Sequence, residues 1–390
     1  MAVWKRIALV LVILVGGLTL IHDLDKSMSL DKSDLQPVQI GVRATLRHED
    51  PYSEATTRKI QIAYYGRALT DADHVNRMGY AYPWYTAYIL APLAWLTFDQ
   101  ARICFWILVP ILSAVAAWLW LRVAGTKLER KNVVLAVGLM LASYPFLWAM
   151  RLQQVTLLVF VLLAVGCWLF QTGRAAGAGV VLGLSLFKPQ LACILIAWLC
   201  LWAIVHRMWR FVISLALCGT LLLAASEIAH SGWFSAWRSA GVALVHYTKQ
   251  HPPLVSVLGQ WIGIPVTTAI AAWAIFVLWK LRKATATSPE FGRTVGLALA
   301  VTLTLLPTDT PMGYNFVLLL PAVLVFFTRR DRSVFDLLTT VLICWLFSAP
   351  VFAVFYAMHP AEGFIALPMI APFLAAALTV SIALSRTERR

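Results

Sequence analysis

Lys188 is isolated in apolar sequence: in the stretch LFKPQ it lies between the apolar runs 175–187 and 190–205. An ammonium at membrane depth is costly, so an ionisable residue there is by default a functional one. The competing reading is a side chain that snorkels to the interface. A second polar group closes the run before residue 154: Arg151, Gln153 and Gln154 in MRLQQVT. There a guanidinium could fork onto phosphate oxygens, or the group could be a plain polar turn with one interfacial arginine. Asp34, in SDLQPVQ, has two readings as well. It can cap the helix that follows, or, partly desolvated beside a membrane, it has the chemistry of a general base.

These residues need a scaffold, and composition says which kind. The 390-residue chain is 61% hydrophobic and 13% charged, against roughly 25% charged in soluble domains. Apolar runs long enough to cross a bilayer recur along its whole length, which reads as an all-α polytopic membrane protein. The net charge of +14 sits in short basic turns between runs, the pattern of loops retained in the cytoplasm, so no nucleic acid is expected as a partner. The six cysteines all lie in apolar runs and form neither a disulfide frame nor a metal-ligand spacing. The basic start Lys5-Arg6 and the run 7–21 resemble a signal peptide without a small-residue cleavage site, so an uncleaved first helix is expected.

Apolar segments fall near 7–21, 83–98, 103–122, 132–149, 154–171, 175–187, 190–205, 211–229, 255–280, 291–307, 313–328, 334–357 and 364–385. The basic turns 127–131, 173–174, 206–210, 280–283 and 328–332 and the C-terminal arginines fit one register, with all of them inside. The count of segments is odd, so with the N-terminus also inside one segment must be broken. The first suspect is 83–98, which opens on Pro83 and contains Pro92, and the second is the short 175–187. Non-helical backbone at that depth needs protein or a wet cavity around it. About twelve full spans plus one partial segment are expected.

This register places the polar connections 22–79, 150–156, 188–190, 230–253, 307–314 and 359–363 on the outer face. The loop 22–79 alone holds nine of the 18 acidic residues. Within it, VQIGVRATL and SEATTRKIQIAYYGRALT are expected as helices lying on the membrane surface. Asp50-Pro51-Tyr52 reads as a turn, with Tyr52 docked on the bundle. Asp71-Ala-Asp73-His74 has the look of a metal-binding acidic pair, but a solvated helix end explains it, and Glu227, His230, His246 and His251 have no metal spacing. The aromatic stretch 233–247 reads as an interfacial anchor or as a helix shaping a binding site.

In order along the chain, four stretches resemble glycosyltransferase family 87, whose members are polytopic enzymes of the GT-C type. They are SDL with DPY in the first loop, YAYPWYTAYILAPLAWLTF, MRLQQVTLLVFVLLAVGCWLFQTGRAAGAGVVLGLSLFKPQ, and LLPTDTPMGYNFVLLLPAVL. The resemblance implies a single GT-C-like membrane domain over 1–390, with 22–79 as its first and 230–255 as its second extracytoplasmic segment. It also implies transfer of a hexose or pentose, mannose favoured, from a polyprenyl phosphate to a lipid or glycan hydroxyl, with inversion, on the outer face of a bacterial inner membrane. Asp34 matches the family's catalytic acid. Lys188 and Arg151 would contact phosphate, while Gln154, Tyr314, Asn315 and Tyr52 would line the substrate site, with Asp309 beside them. No nucleotide, metal or other cofactor is called for. Two departures stand out: Gln153 and Thr156 replace the Gly and Asn of the family's GQxN, and the histidine of its SWxHY segment is missing. The alternatives are a transporter or lipid flippase, which would place paired ionisable groups at mid-depth, and an inactive relative.

Overall fold

The computed structural model describes residues 33–70, 73, 77–126, 128–248, 251–283, 289–306, 310–327 and 374–382. Every regular element among them is helical. Two helices lie in the first loop, α1 (Leu35–Leu46) and α2 (Glu54–Tyr65). Two single turns follow, α3 (Thr86–Ile89) and α4 (Pro92–Trp95). The bundle consists of α5 (Phe98–Val123), α6 (Arg130–Ala142), α7 (Tyr144–Leu152), α8 (Thr156–Gln171), α9 (Ala175–Ser185), α10 (Pro189–Val205) and α11 (Trp209–Ala229). It continues with α12 (Trp233–Thr248), α13 (Pro253–Leu281), α14 (Pro289–Leu305), a 3₁₀ helix (Thr310–Leu319) and α15 (Leu320–Phe327). The expected segments 7–21 and 334–357, and the connection 359–363, lie outside the described residues.

Among the described residues, three helices are long and apolar enough to cross a membrane: Phe98–Val123, Trp209–Ala229 and Leu258–Leu281. The pair α6 and α7, bent by 49°, is a broken span or a re-entrant loop, which makes the number of crossings three or four. The expected run 132–149 is therefore broken. Ser143 adopts an extended backbone and caps α7 through Phe146 N–H, and Pro145 follows in its first turn; it is a start signal set inside an apolar run. Other expected spans are shorter helices, Thr156–Gln171, Ala175–Ser185 and Pro189–Val205. Ile107, Ile111, Leu217, Leu221 and Trp261 point outward, as the lipid-facing side of a bundle does.

Segment 83–98 is two single turns instead of a span. Its freed carbonyls are taken up by α1. Gln39 Nε2 donates to the carbonyls of Leu93 and Leu96, both at 2.9 Å, and the Arg43 guanidinium donates to those of Ala94 and Leu96. Helix α1 therefore does not lie free on a surface. It buries Leu35, Val38, Gly41 and Val42 and satisfies a broken backbone that could not otherwise persist away from water. On the far side of the same segment, Tyr85 Oη donates to Leu186 O at 2.9 Å and Thr86 Oγ1 to Phe187 O at 3.4 Å. The turn that carries Lys188 is thus tied through segment 83–98 to the helix that begins at Asp34.

Helix α9 sits between α8 and α11. Gly179 and Gly183, one helical turn apart, face α11: a Cβ at Gly179 would lie 2.1 Å from Ser214 Oγ and 2.6 Å from Phe211 O, and one at Gly183 would lie 2.9 Å from Cys218 Sγ. This is the small-residue spacing that lets membrane helices approach closely. At the same end of the bundle, Phe170, Trp202, Phe211 and Phe291 form an aromatic cluster. His206 there meets Arg282 O at 3.2 Å, and Gln171 Nε2 meets Val123 O at 3.5 Å. Four basic turns of the expected inner face adjoin these contacts. Gly179→Val should separate α9 from α11 and lower the thermal midpoint in detergent, with an overpacking cost of about 1–3 kcal/mol; an unchanged midpoint would mean that the close approach is not needed.

Candidate active site

At the other end of the bundle, four connections converge. Asp34 begins α1, but its carboxylate makes no cap contact. Ser33 Oγ takes Leu35 N–H instead, at 3.1 Å. The Asp34 amide donates to Leu152 O at 3.0 Å, which pins the loop to the end of α7. The carboxylate is left for the interior, and Gln154 Nε2 donates to its Oδ2. The other end of the same amide, Gln154 Oε1, accepts from Lys188 Nζ at 3.3 Å. A carboxylate can only accept and an ammonium can only donate, so the two charges fix which way the amide points.

Lys188 Nζ also donates to Thr156 Oγ1 at 2.7 Å, and Thr156 in turn donates to Asn315 Oδ1 at 3.0 Å. The ammonium lies 5.4 Å from the centre of the Tyr314 ring, within cation–π range. Lys188 is 7% exposed, and Gln154 and Asn315 are equally buried. The lysine does not snorkel. Pro189 follows it, and residue 188 adopts a non-helical backbone, as a residue before proline must; its side chain thereby meets residues 154 and 156. Helices α8 and α10 both begin here, and neither has a side-chain cap. The partial positive charge of the two helix starts suits an anion.

Gln153 has φ 55° and ψ 47°, the left-handed region. This is the position that the resemblance gives to glycine, the residue best suited to that backbone. Here glutamine occupies it, and Gln153 Oε1 accepts from Ser33 Oγ at 2.5 Å. Thr156, at the other departure, accepts the lysine proton as an asparagine carbonyl would, and Asn315 supplies the amide from another helix. Both residues that depart from GQxN lie inside the polar network.

Asp34 is partly buried. Burial pushes its carboxyl up to about 6, opposed by the Gln154 hydrogen bond and the Lys188 charge. Tyr64 and Tyr82 stand near enough to feel that charge: burial first and Asp34 second hold both hydroxyls protonated far above the usual range.

Of the residues singled out in the sequence, Asp34, Gln154, Lys188, Tyr314 and Asn315 are brought together. Arg151 is not: its guanidinium lies over the Trp148 ring at 5.4 Å, one turn back on α7. Tyr52 is not in the network either. It sits on the Asp50 turn, with its N–H on Asp50 Oδ1 and its hydroxyl on Tyr82 O at 2.8 Å. Asp73 pairs with Arg67 at 2.5 Å, as a solvated segment does. Asp309, Asp71 and His74 lie outside the described residues. Thr156, Ser33 and Gln153 are the network members that residue type alone did not reveal. Among the described residues, no group of three or more His, Cys, Asp or Glu could hold a metal ion.

Comparison with protein families settles the kinship. The model of glycosyltransferase family 87 matches residues 80–308. The chain belongs to glycosyltransferase family 87. As a member of family 87 it is a membrane glycosyltransferase, which uses a sugar donor and an acceptor. The family 87 match covers Gln154, Thr156 and Lys188, while Asp34 and Asn315 lie outside it. Comparison with curated proteins returns no match.

Because the folded-state value of Asp34 lies above the ordinary 3.8, ionising this group opposes folding. The loss sets in as pH rises from the ordinary value and is complete above about 6. Asp34→Asn should therefore keep or raise the thermal midpoint at pH 8, and the difference from the unsubstituted protein should shrink toward pH 4. A fall at pH 8 of several degrees would make Asp34 a structural residue.

Proposed function

We propose that the protein transfers a sugar from a polyprenyl phosphate to a hydroxyl of a lipid or glycan, with inversion, on the extracytoplasmic face of the cell's inner membrane. The observation that carries this reading is the link Asp34–Gln154–Lys188: a partly buried carboxylate and a buried ammonium joined by one amide. Asp34 accepts the proton of the acceptor hydroxyl as its oxygen attacks the anomeric carbon. The bond from that carbon to the phosphate oxygen breaks, and the electron pair leaves with the polyprenyl phosphate. Lys188 and the uncapped starts of α8 and α10 receive the charge that develops there.

A raised carboxyl suits the base, since it strengthens proton affinity while leaving the group ionised at neutral pH. Gln154 fixes the distance between base and cation, and Tyr314 and Asn315 border the same space as sugar contacts. A mannosyl donor, GT-C architecture and a single membrane domain over 1–390 are part of this proposal. Arg151 lies over Trp148, outside this network.

The test is turnover of polyprenyl-phosphate sugars labelled in the sugar, with membrane glycolipid extract as acceptor. Asp34→Asn should cut kcat by about 10²–10⁴-fold with folding intact. Lys188→Met should raise the donor KM and lower kcat. The acid limb of kcat/KM should have its midpoint near 6 in the unsubstituted protein, since the base is lost as pH falls through the Asp34 value. Turnover that survives Asp34→Asn would remove Asp34 from the reaction.

A further inference from the structure

A cavity of about 200 Å³ opens between the first loop on one side and α12 on the other. Tyr52 and Tyr80 line one wall, with ring centres 5.8 Å apart. Glu54 and Arg77 line the rim, and their side chains pair at 2.9 Å. Gly79 and Ala240, both small, leave the floor open. Tyr80 is fixed from behind: Gly41 on α1 lies so close that a Cβ there would fall 1.9 Å from the ring. Helix α12 is tied to the same wall by Trp237 Nε1 on Ala81 O at 3.0 Å and by stacking of His230 on Trp84, with ring centres 4.6 Å apart.

The lining decides the ligand class. Its one acid and one base neutralise each other, so the lining carries no net positive charge for a phosphate, and the buried ammonium, Lys188, belongs to the other site. The half-buried Tyr52 ring, with buried Tyr80 packed behind it, can accept the apolar face of a sugar ring, and a paired carboxylate and guanidinium offer acceptors and donors to neutral hydroxyls. The volume is below the roughly 300–1,000 Å³ that encloses a drug-sized ligand, so it suits one sugar residue. The cavity lies along α1 from Asp34: Tyr80, which lines it, packs on Gly41, about two helical turns after Asp34 on that helix, and Tyr52, which also lines it, donates to Tyr82 O.

We infer that this cavity is a subsite for a neutral glycan, holding the acceptor one residue away from the hydroxyl that reacts at Asp34. The inference rests on the transfer reading for its direction but not for its test. The donor then enters at the Lys188 end and the acceptor over Tyr52, so the two substrates do not compete for one pocket.

The experiment is saturation-transfer NMR on the full chain in lipid nanodiscs free of sugar detergents, with mannobiose as probe and mannose 6-phosphate as its charged counterpart. Two variants fill the cavity from opposite walls, Gly79→Leu and Ala240→Leu. A Cβ at Gly79 meets nothing closer than Thr57 Oγ1, at 3.9 Å, so the first variant adds bulk without a clash at its root. Mannobiose should bind in preference to the phosphate, lose at least tenfold in affinity in whichever filled variant keeps the thermal midpoint, and still bind to Asp34→Asn. Binding unmoved by filling, binding lost only in Asp34→Asn, or no binding at all would overturn the subsite. Turnover of labelled donor is scored separately: turnover without glycan binding removes the subsite and leaves the transfer reading, and binding without turnover does the reverse.

Discussion

One amide holds opposite charges apart. Gln154 donates to Asp34 and accepts from Lys188, and the fold at this end of the bundle is arranged around that contact. Removing the Lys188 charge would leave the carboxylate without its cation beside a half-satisfied amide, which is costly in a low-dielectric setting, whereas Asp34→Asn removes a group whose ionisation already opposes folding. Direct pairing of the two would cost less but would neutralise the carboxylate as a base. The intervening amide keeps both ionised and unequal: a carboxylate raised by burial and an ammonium with further donors to spend on Thr156.

Reaching that geometry needs backbone that is not helical. The turn before Lys188, the left-handed Gln153 and the broken segment 83–98 each interrupt what composition would extend as a span. Their exposed polar groups are met by side chains from distant positions, Gln39 and Arg43 on α1 and Tyr85 and Thr86 on the broken segment. At the opposite end, close glycine packing and an aromatic cluster hold the helices together. One end of the bundle is built for packing and the other for chemistry.

Much of this was legible in the chain because charge and amide groups are conspicuous among apolar residues. Lys188 between two runs, the glutamine after Arg151 and the acid-rich first loop all declared themselves, as did the proline-marked break at 83–98. Other features carry no such mark. Thr156 looks like an ordinary first residue of an apolar helix, and only its neighbours 188 and 315 give it a role. Arg151 reads in the sequence as one polar group with Gln153 and Gln154, but the helix ends at Leu152, and the chain turns through Gln153 before Gln154. Hydropathy also could not foresee the Ser143 start signal, since a serine and a proline barely lower the average of the run they divide.

The most direct measurement is the ionisation of Asp34 itself, by infrared difference spectroscopy of the carboxyl stretch in the pure protein, with Asp34→Asn as the blank. A midpoint near 6 that climbs further when Lys188→Met removes the neighbouring charge follows from the link through Gln154. A midpoint at the ordinary carboxyl value of about 4, unmoved by Lys188→Met, would show that the two charges are not coupled and that this end of the bundle is not the reacting centre.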